Sequence, residues 1–242
     1  MKLGIIVINL DHSTDRLAKI SERLQALGLN FDRLSGTYVK DIPQTTFRDA
    51  YDPELNRRSF YKVLSPGELA CYISHQRAWQ HLVDRGWDAA LVFEDDAIPT
   101  PEMLRALDVV LALPQPWDIV KLGSYTRKPV ISSTPVAGGF VVCEYAKIPV
   151  CAHAQVITRE GAQKLLRSRQ RVARPVDVDL QHPWEHGCRI LGLTPFSVRA
   201  DNVPSDTWVA DNQRASFRSN RLNFYRTKLR FAYESMRYNI AH

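Results

Sequence analysis

An unbroken apolar run, Ala89, Ala90, Leu91, Val92 and Phe93, stops at three consecutive carboxylates, Glu94, Asp95 and Asp96. The run suits a buried strand, and its ending demands an explanation. Adjacent acids repel one another and are costly to take out of water, so they belong at an exposed strand end or around a cation. Hard divalent ions such as Mg²⁺ and Mn²⁺ take oxygen ligands, often through one or two carboxylates, with the remaining positions left to water and phosphate oxygens. The plain alternative is a solvated acidic turn ahead of the next helix.

The flanking sequence alternates strand and helix, as expected of an α/β fold with a mostly parallel central sheet. Leu3 to Leu10 reads as the first strand. Leu17, Ile20, Leu24 and Leu27 then follow helical spacing behind Ser13 or Thr14, with Gly28 as the stop. A second strand is predicted near Phe31 to Leu34. From about Gly36 to Leu64, around Pro43 and Pro53, no period is sustained, and a long surface excursion of the kind that often carries a substrate loop is expected. Ser65, Pro66 and Glu68 form a capping-box start for a helix running to about Arg85. Glu68, Tyr72, His75, Trp79 and Leu82 share one face of it, half of which could simply be core. Another helix is predicted from Thr100 to Pro114. Strands are predicted at Trp117 to Leu122, Phe140 to Cys143 and His153 to Ile157, and a short helix capped by Thr158. In Pro175 to Leu180, read as extended, Asp177 and Asp179 would point to the same side.

Charge is unevenly distributed. Of the net +6 on 242 residues, the whole excess lies from Asn212 onward, where seven bases face the single acid Glu234 and are interleaved with residues such as Phe224, Leu229, Phe231 and Tyr233. Residues 1–211 are read as the folded domain and 212–242 as a basic, amphipathic helical tail. Such a tail suits an anionic membrane surface, or a plain helix docked on the body with solvated arginines. Nucleic acid could use the same charges, although no nucleic-acid partner is expected. The N-terminal apolar run is too short to span a membrane and has no cleavage site, so a cytoplasmic protein is expected, peripheral at most on the inner face of a bacterial membrane. Four scattered cysteines with no CxxC spacing argue for reduced thiols rather than a zinc site or disulfides.

Several blocks together resemble glycosyltransferase family 25, of the lipooligosaccharide galactosyltransferase type. They are Ile8, Asn9, Leu10 and Asp11 with Arg16; Gly67 to His75 with Trp79; Phe93 to Asp96; Ala154 to Leu166; and Pro175 to Asp177. The likeness extends from Leu3 to about Trp208. Phe93 stands in place of a leucine, and Gln155 where an aromatic is usual. The resemblance implies a GT-A-like nucleotide-sugar-binding domain that transfers a hexose, commonly galactose from UDP-galactose, with inversion. The acceptor would be a lipooligosaccharide or another surface or lipid-linked glycan.

On this reading Asp96 is the principal ligand of Mn²⁺ or Mg²⁺, with Glu94 as a second. Glu94 or Asp95 holds the ribose or a metal-bound water. Asn9, Arg16, Ser74, His75 and His153 are candidates for the donor, although a capping Asn, a solvated Arg and core histidines are comparable readings. Asp177 or Asp179 would take the acceptor's proton as general base, or one of them would instead complete the metal site. Two other function classes remain open: another metal-dependent enzyme of nucleotide-sugar or nucleotidyl transfer, for which no Walker-type or dinucleotide-type glycine loop is present, and a non-catalytic protein that binds anionic polymers or membranes through its tail.

Overall fold

A computed structural model describes residues 1–41, 43–126, 128–201 and 221–241. The expected boundary between 211 and 212 lies outside the described residues. In chain order the principal elements are β1 (Leu3–Asn9), α1 (Thr14–Ala26), β2 (Asp32–Ser35), α2 (Gln44–Ala50), α3 (Pro53–Ser59), α4 (Pro66–Asp84), β3 (Ala89–Glu94), β4 (Ala97–Pro99) and α5 (Met103–Ala112). There follow β5 (Ile119–Lys121), β6 (Val130–Pro135), β7 (Val141–Tyr145), β8 (Ala154–Thr158), α6 (Arg159–Ser168), α7 (Val176–Asp179), α8 (Pro183–His186), β9 (Ile190–Thr194), β10 (Val198–Ala200) and α9 (Arg221–Ala241).

Eight strands form one sheet in the order β2-β1-β3-β8-β5-β9-β7-β6. β1 pairs in parallel with both β2 and β3, and β5 with β9; β8 and β7 pair antiparallel with their neighbours. Six of the eight strands therefore run one way, as the strand-helix alternation predicts. β1 and β3 are buried on both faces because alternate residues enter two cores. Ile6, Ile8 and Val92 pack with Leu69, Trp79 and Leu82 of α4, while Ile5, Val7 and Leu91 pack with Ile20 and Leu24 of α1 and Met103 of α5. The strand-helix-strand crossovers place the C-terminal ends of β1 and β3 side by side.

The helix starts behave as their sequences require. Ser65 Oγ accepts from Glu68 N at 3.2 Å and the Glu68 carboxylate accepts from Ser65 N at 2.8 Å, closing the capping box at α4. Thr158 Oγ1 accepts from Gly161 N at 3.0 Å. All four cysteines are free.

Two local expectations need correction. The stretch from Gly36 to Leu64 is not an irregular excursion throughout, since it holds α2 and α3, each too short to show a sustained period. Asp177 and Asp179 lie on a helical turn rather than an extended segment, so they do not share a side. The hydrogen bonds from Asp179 N and Leu180 N to the carbonyls of Pro175 and Val176 close that turn.

Candidate active site

Asn9 ends β1 and Glu94 ends β3, so the polar residues just beyond both strands meet at one edge of the sheet, where open α/β sheets bind ligands. A cleft opens there, lined on one side by Asn9, Arg16, Glu94 and Asp95 and on the other by Gly36 to Val39 and by Cys71, Ser74 and His75 of α4. The predicted substrate loop does reach the cleft, through Thr37 and Tyr38.

The three acids have different surroundings. Asp95 accepts from Asn9 Nδ2 at 2.8 Å and from Arg16 Nη1 at 3.1 Å, so its two oxygens tie β1 and α1 to the end of β3. Burial raises its pKa, against the pull of Asn9 and Arg16. Glu94 Oε1 lies 2.9 Å from His75 Nε2. Burial alone would raise the Glu94 pKa, but the His75 hydrogen bond and the charges of His75, His153 and Lys121 bring it below the ordinary value. Asp96 is different: its Oδ1 is buried with no hydrogen-bond partner. Burial first, and then the negative charges of Glu94 and Asp95, push the Asp96 carboxyl up to about 7. A buried carboxylate oxygen with no donor, beside another carboxylate, has the chemistry of a hard-cation ligand. The donor set of Asp96 and Glu94 therefore fits Mn²⁺ or Mg²⁺. Cys71, His75 and Glu94 also place one ligand atom each within 4.8 Å of one another. Burial and the surrounding acids hold the Cys71 thiol far above its ordinary pKa, which keeps it protonated.

The two candidate bases separate completely. Asp179 is 3% exposed and accepts from Tyr72 Oη at 2.6 Å and Arg174 Nε at 2.9 Å, with Arg169 and Glu185 completing the network. Although burial opposes ionisation, the charges of Arg174 and Arg169 hold Asp179 down at about 2. It is an ion-pair anchor with no free oxygen to accept a proton, which corrects its assignment as a base. Asp177 instead interacts electrostatically with Lys121 and with Glu94 of the acidic cluster. Burial raises its pKa, while Lys121 and the backbone N–H groups of Val178 and Cys151 oppose that rise.

Other predicted residues fall into two groups. Ser74 lines the cleft, but its Oγ already accepts from Thr37 N at 2.8 Å and donates to Ala70 O at 2.9 Å, so it ties the loop to α4. His153 is 1% exposed, its Nδ1 bonded to the Cys151 thiol, and burial lowers its pKa. Gly123 leaves room for it: a Cβ there would lie 2.3 Å from His153 Nε2. On α4, Tyr72, Trp79 and Leu82 are core and Glu68 is a cap, so only His75 of the predicted face serves the site.

Sequence reasoning missed Lys121, which is fully buried and donates to the Cys151 carbonyl. Burial lowers its pKa against the charges of Cys151, Asp177 and Glu94. The available signal was a lysine within the otherwise apolar run Ile119 to Leu122, at the end of β5. Cys151 was also missed. Its φ of 111° is a left-handed backbone conformation uncommon for a non-glycine residue and most often kept at functional sites.

Comparison with known proteins gives this cleft a context. A 30%-length match is found with procollagen galactosyltransferase 1-A of Xenopus laevis, 27% identical over 72% of this chain. A probable inactive glycosyltransferase 25 family member 3 of Bos taurus is 28% identical over 88% of this chain and 39% of its own length. The chain thus spans about a third of the length of these relatives. Among solved structures, a glycosyltransferase involved in glycosylating the major capsid of PBCV-1 overlaps 89% of this chain and 99% of its own, at 10% identity and a TM-score of 0.46. That overlap carries no weight for the site. The decisive match is to the family model described as glycosyltransferase family 25 (LPS biosynthesis protein), which covers residues 2–180, from β1 through both acidic segments, and the chain belongs to that family.

Proposed function

We propose that the chain transfers a hexose from a UDP-sugar to a glycan hydroxyl, with inversion and with Mn²⁺ or Mg²⁺ held by Asp96 and Glu94. The supporting observation is the Asp96 carboxylate, next in sequence to the cleft-lining Glu94 and Asp95, with one buried oxygen lacking a partner and a pKa pushed to about 7. A divalent cation bound there would supply positive charge for the departing diphosphate. Galactose is the favoured sugar because relatives carry galactosyltransferase names, and the family description points to a surface-glycan acceptor.

In this reading the donor's nucleotide occupies the cleft between β1 and α4, against Tyr38 and Val39. His75 keeps Glu94 ionised and oriented. Asp95 stays with Asn9 and Arg16 and fixes the relative position of the two strand ends. Asp177, with a raised pKa, takes the proton of the acceptor hydroxyl. The hydroxyl oxygen bonds to the anomeric carbon as the carbon–phosphate-oxygen bond breaks, and UDP leaves. Lys121 keeps Asp177 available as a base by restraining that rise.

The test is release of UDP from a panel of UDP-sugars, with Mn²⁺ and then EDTA, in the presence of galactose-, glucose- and N-acetylglucosamine-terminated acceptors. Metal-dependent UDP release with one donor supports the proposal and names the sugar. Pyrophosphate release instead would identify nucleotidyl transfer. Silence with every donor, together with no UDP-sugar binding by calorimetry, would overturn the reading and place this chain beside the family members named as inactive.

A further inference from the structure

The C-terminal helix α9 presents two opposite apolar faces, only one of which the body accounts for. Phe224, Phe231 and Tyr238 recur at sevenfold spacing and face inward. Phe224 meets Tyr61 edge-on at 5.4 Å, Phe231 packs on His182 and Trp184 at 5.1 and 5.3 Å, and Tyr238 approaches Trp184 at 6.4 Å. Polar contacts reinforce this docking, since Asn223 donates to Phe60 O at 2.9 Å and Ser235 to Ala146 O at 3.0 Å.

Half a turn away lies a second stripe: Tyr225, Leu229, Tyr233, Met236 and Ile240, at steps of four, four, three and four. Its members are 55–79% exposed. Single exposed apolar residues need no explanation, but a continuous helical stripe of them does. Cations border it. At 100° per residue, Arg226, Arg230 and Arg237 fall along one edge and Lys228 on the other, all exposed. At the N-terminal end, Arg57 and Arg58 of α3 share a groove with Arg226.

We propose that this stripe lies in the interface of an anionic membrane, with α9 parallel to the surface and its docked face holding the body against the bilayer. Charge complementarity selects this occupant. A second copy pairing stripe to stripe would bring two cationic borders together, and Glu234, the single acid of α9, sits toward the docked face and is already near Arg237 at 3.7 Å. An anionic lipid surface takes the apolar residues into the acyl boundary and the border cations onto its headgroups. Among the described residues no helix is long and apolar enough to cross a membrane, so the contact proposed here is along the surface. The inference does not depend on the reaction proposed above.

The experiment is flotation of the full chain with vesicles of phosphatidylcholine alone and of phosphatidylcholine mixed with phosphatidylglycerol. The expected result is flotation with the mixed vesicles only, weakening as NaCl is raised. Leu229→Glu with Ile240→Glu should reduce partitioning more than ten-fold, and replacing Arg230 and Arg237 by Ser, which leaves Lys228 over the docked Phe224 ring, about thirty-fold. Both variants should keep the parent's circular dichroism and thermal midpoint, and the Leu229/Ile240 variant its turnover on a soluble acceptor. Equal flotation on both vesicle types, no flotation, or a stripe-dependent dimer in light scattering would each overturn the proposal.

Discussion

Asn9 Nδ2 donates to Asp95 Oδ2 at 2.8 Å, a hydrogen bond between neighbouring strand ends that sets where the other two acids can stand. The bond is buried and charge-assisted, and its partner on the other oxygen is Arg16. Asn9→Ala should destabilise the fold by about 1–3 kcal/mol, because it leaves a buried carboxylate short of a donor. A urea titration checks this, and an unchanged midpoint would show that the bond does not hold the strand ends together.

Asp96 gives a pH signature. Its carboxyl titrates at about 7 in the folded state, whereas the unfolded chain releases that proton near 3.9. Between those values the folded state holds the extra proton, so its contribution to stability falls as pH rises, levelling off above 7. Asp96→Asn removes this loss and should be more stable than the parent at pH 8 by about 1–3 kcal/mol, while nearly abolishing transfer. Mn²⁺ should raise the parent's thermal midpoint and leave that of Asp96→Asn unmoved. Calorimetric melts at pH 5 and 8, with and without the ion, provide the readout.

The two acids of α7 should behave oppositely. Asp177→Asn should fold and melt like the parent but lose turnover by roughly 10²–10⁴-fold, the usual contribution of a general base. Asp179→Ala should cost about 3–5 kcal/mol, because it leaves the two buried cations Arg169 and Arg174 sharing Glu185 as their remaining acidic partner in the network. With a folded pKa of about 2, Asp179 contributes stability that is present above the unfolded value near 3.9 and lost as pH falls toward 2. Acid titrations of parent and variant should therefore converge at low pH.

Lys121→Met removes the cation that opposes the rise in the Asp177 pKa. The acid limb of the kcat/KM profile should move to higher pH. A fall in rate with no movement of that limb would mean that Lys121 acts only through packing.

The sequence made the strands legible wherever the residues themselves carry the reason. Ile5 to Ile8 and Ala90 to Phe93 are apolar at every position because both sheet faces are covered, and Ser65 with Glu68 announces the helix that brings His75 to Glu94. The Pro175 to Leu180 segment misled because alternating apolar and acidic residues over so few positions fit a strand and a helical turn alike. Only the tertiary fold shows that Asp179 pairs with Arg174 while Asp177 comes within the electrostatic reach of Lys121 and Glu94. Lys121 was hidden for a related reason. Its strand reads as core, and the partners of its charge, Cys151, Asp177 and Glu94, come from distant parts of the chain. Tyr38 lay in a segment with no period at all, and composition there indicates a loop but not which residue faces a ligand.

Because the site takes its pieces from β1, β3, β5 and α7, no locally folded segment contains it. Each piece is positioned by contacts between remote stretches of chain, whose loops must close before those contacts can form. Catalytic competence should consequently arise late in folding and disappear in one step with the sheet, and a nick in the Gly36 to Val39 loop should impair the site while leaving most of the secondary structure standing.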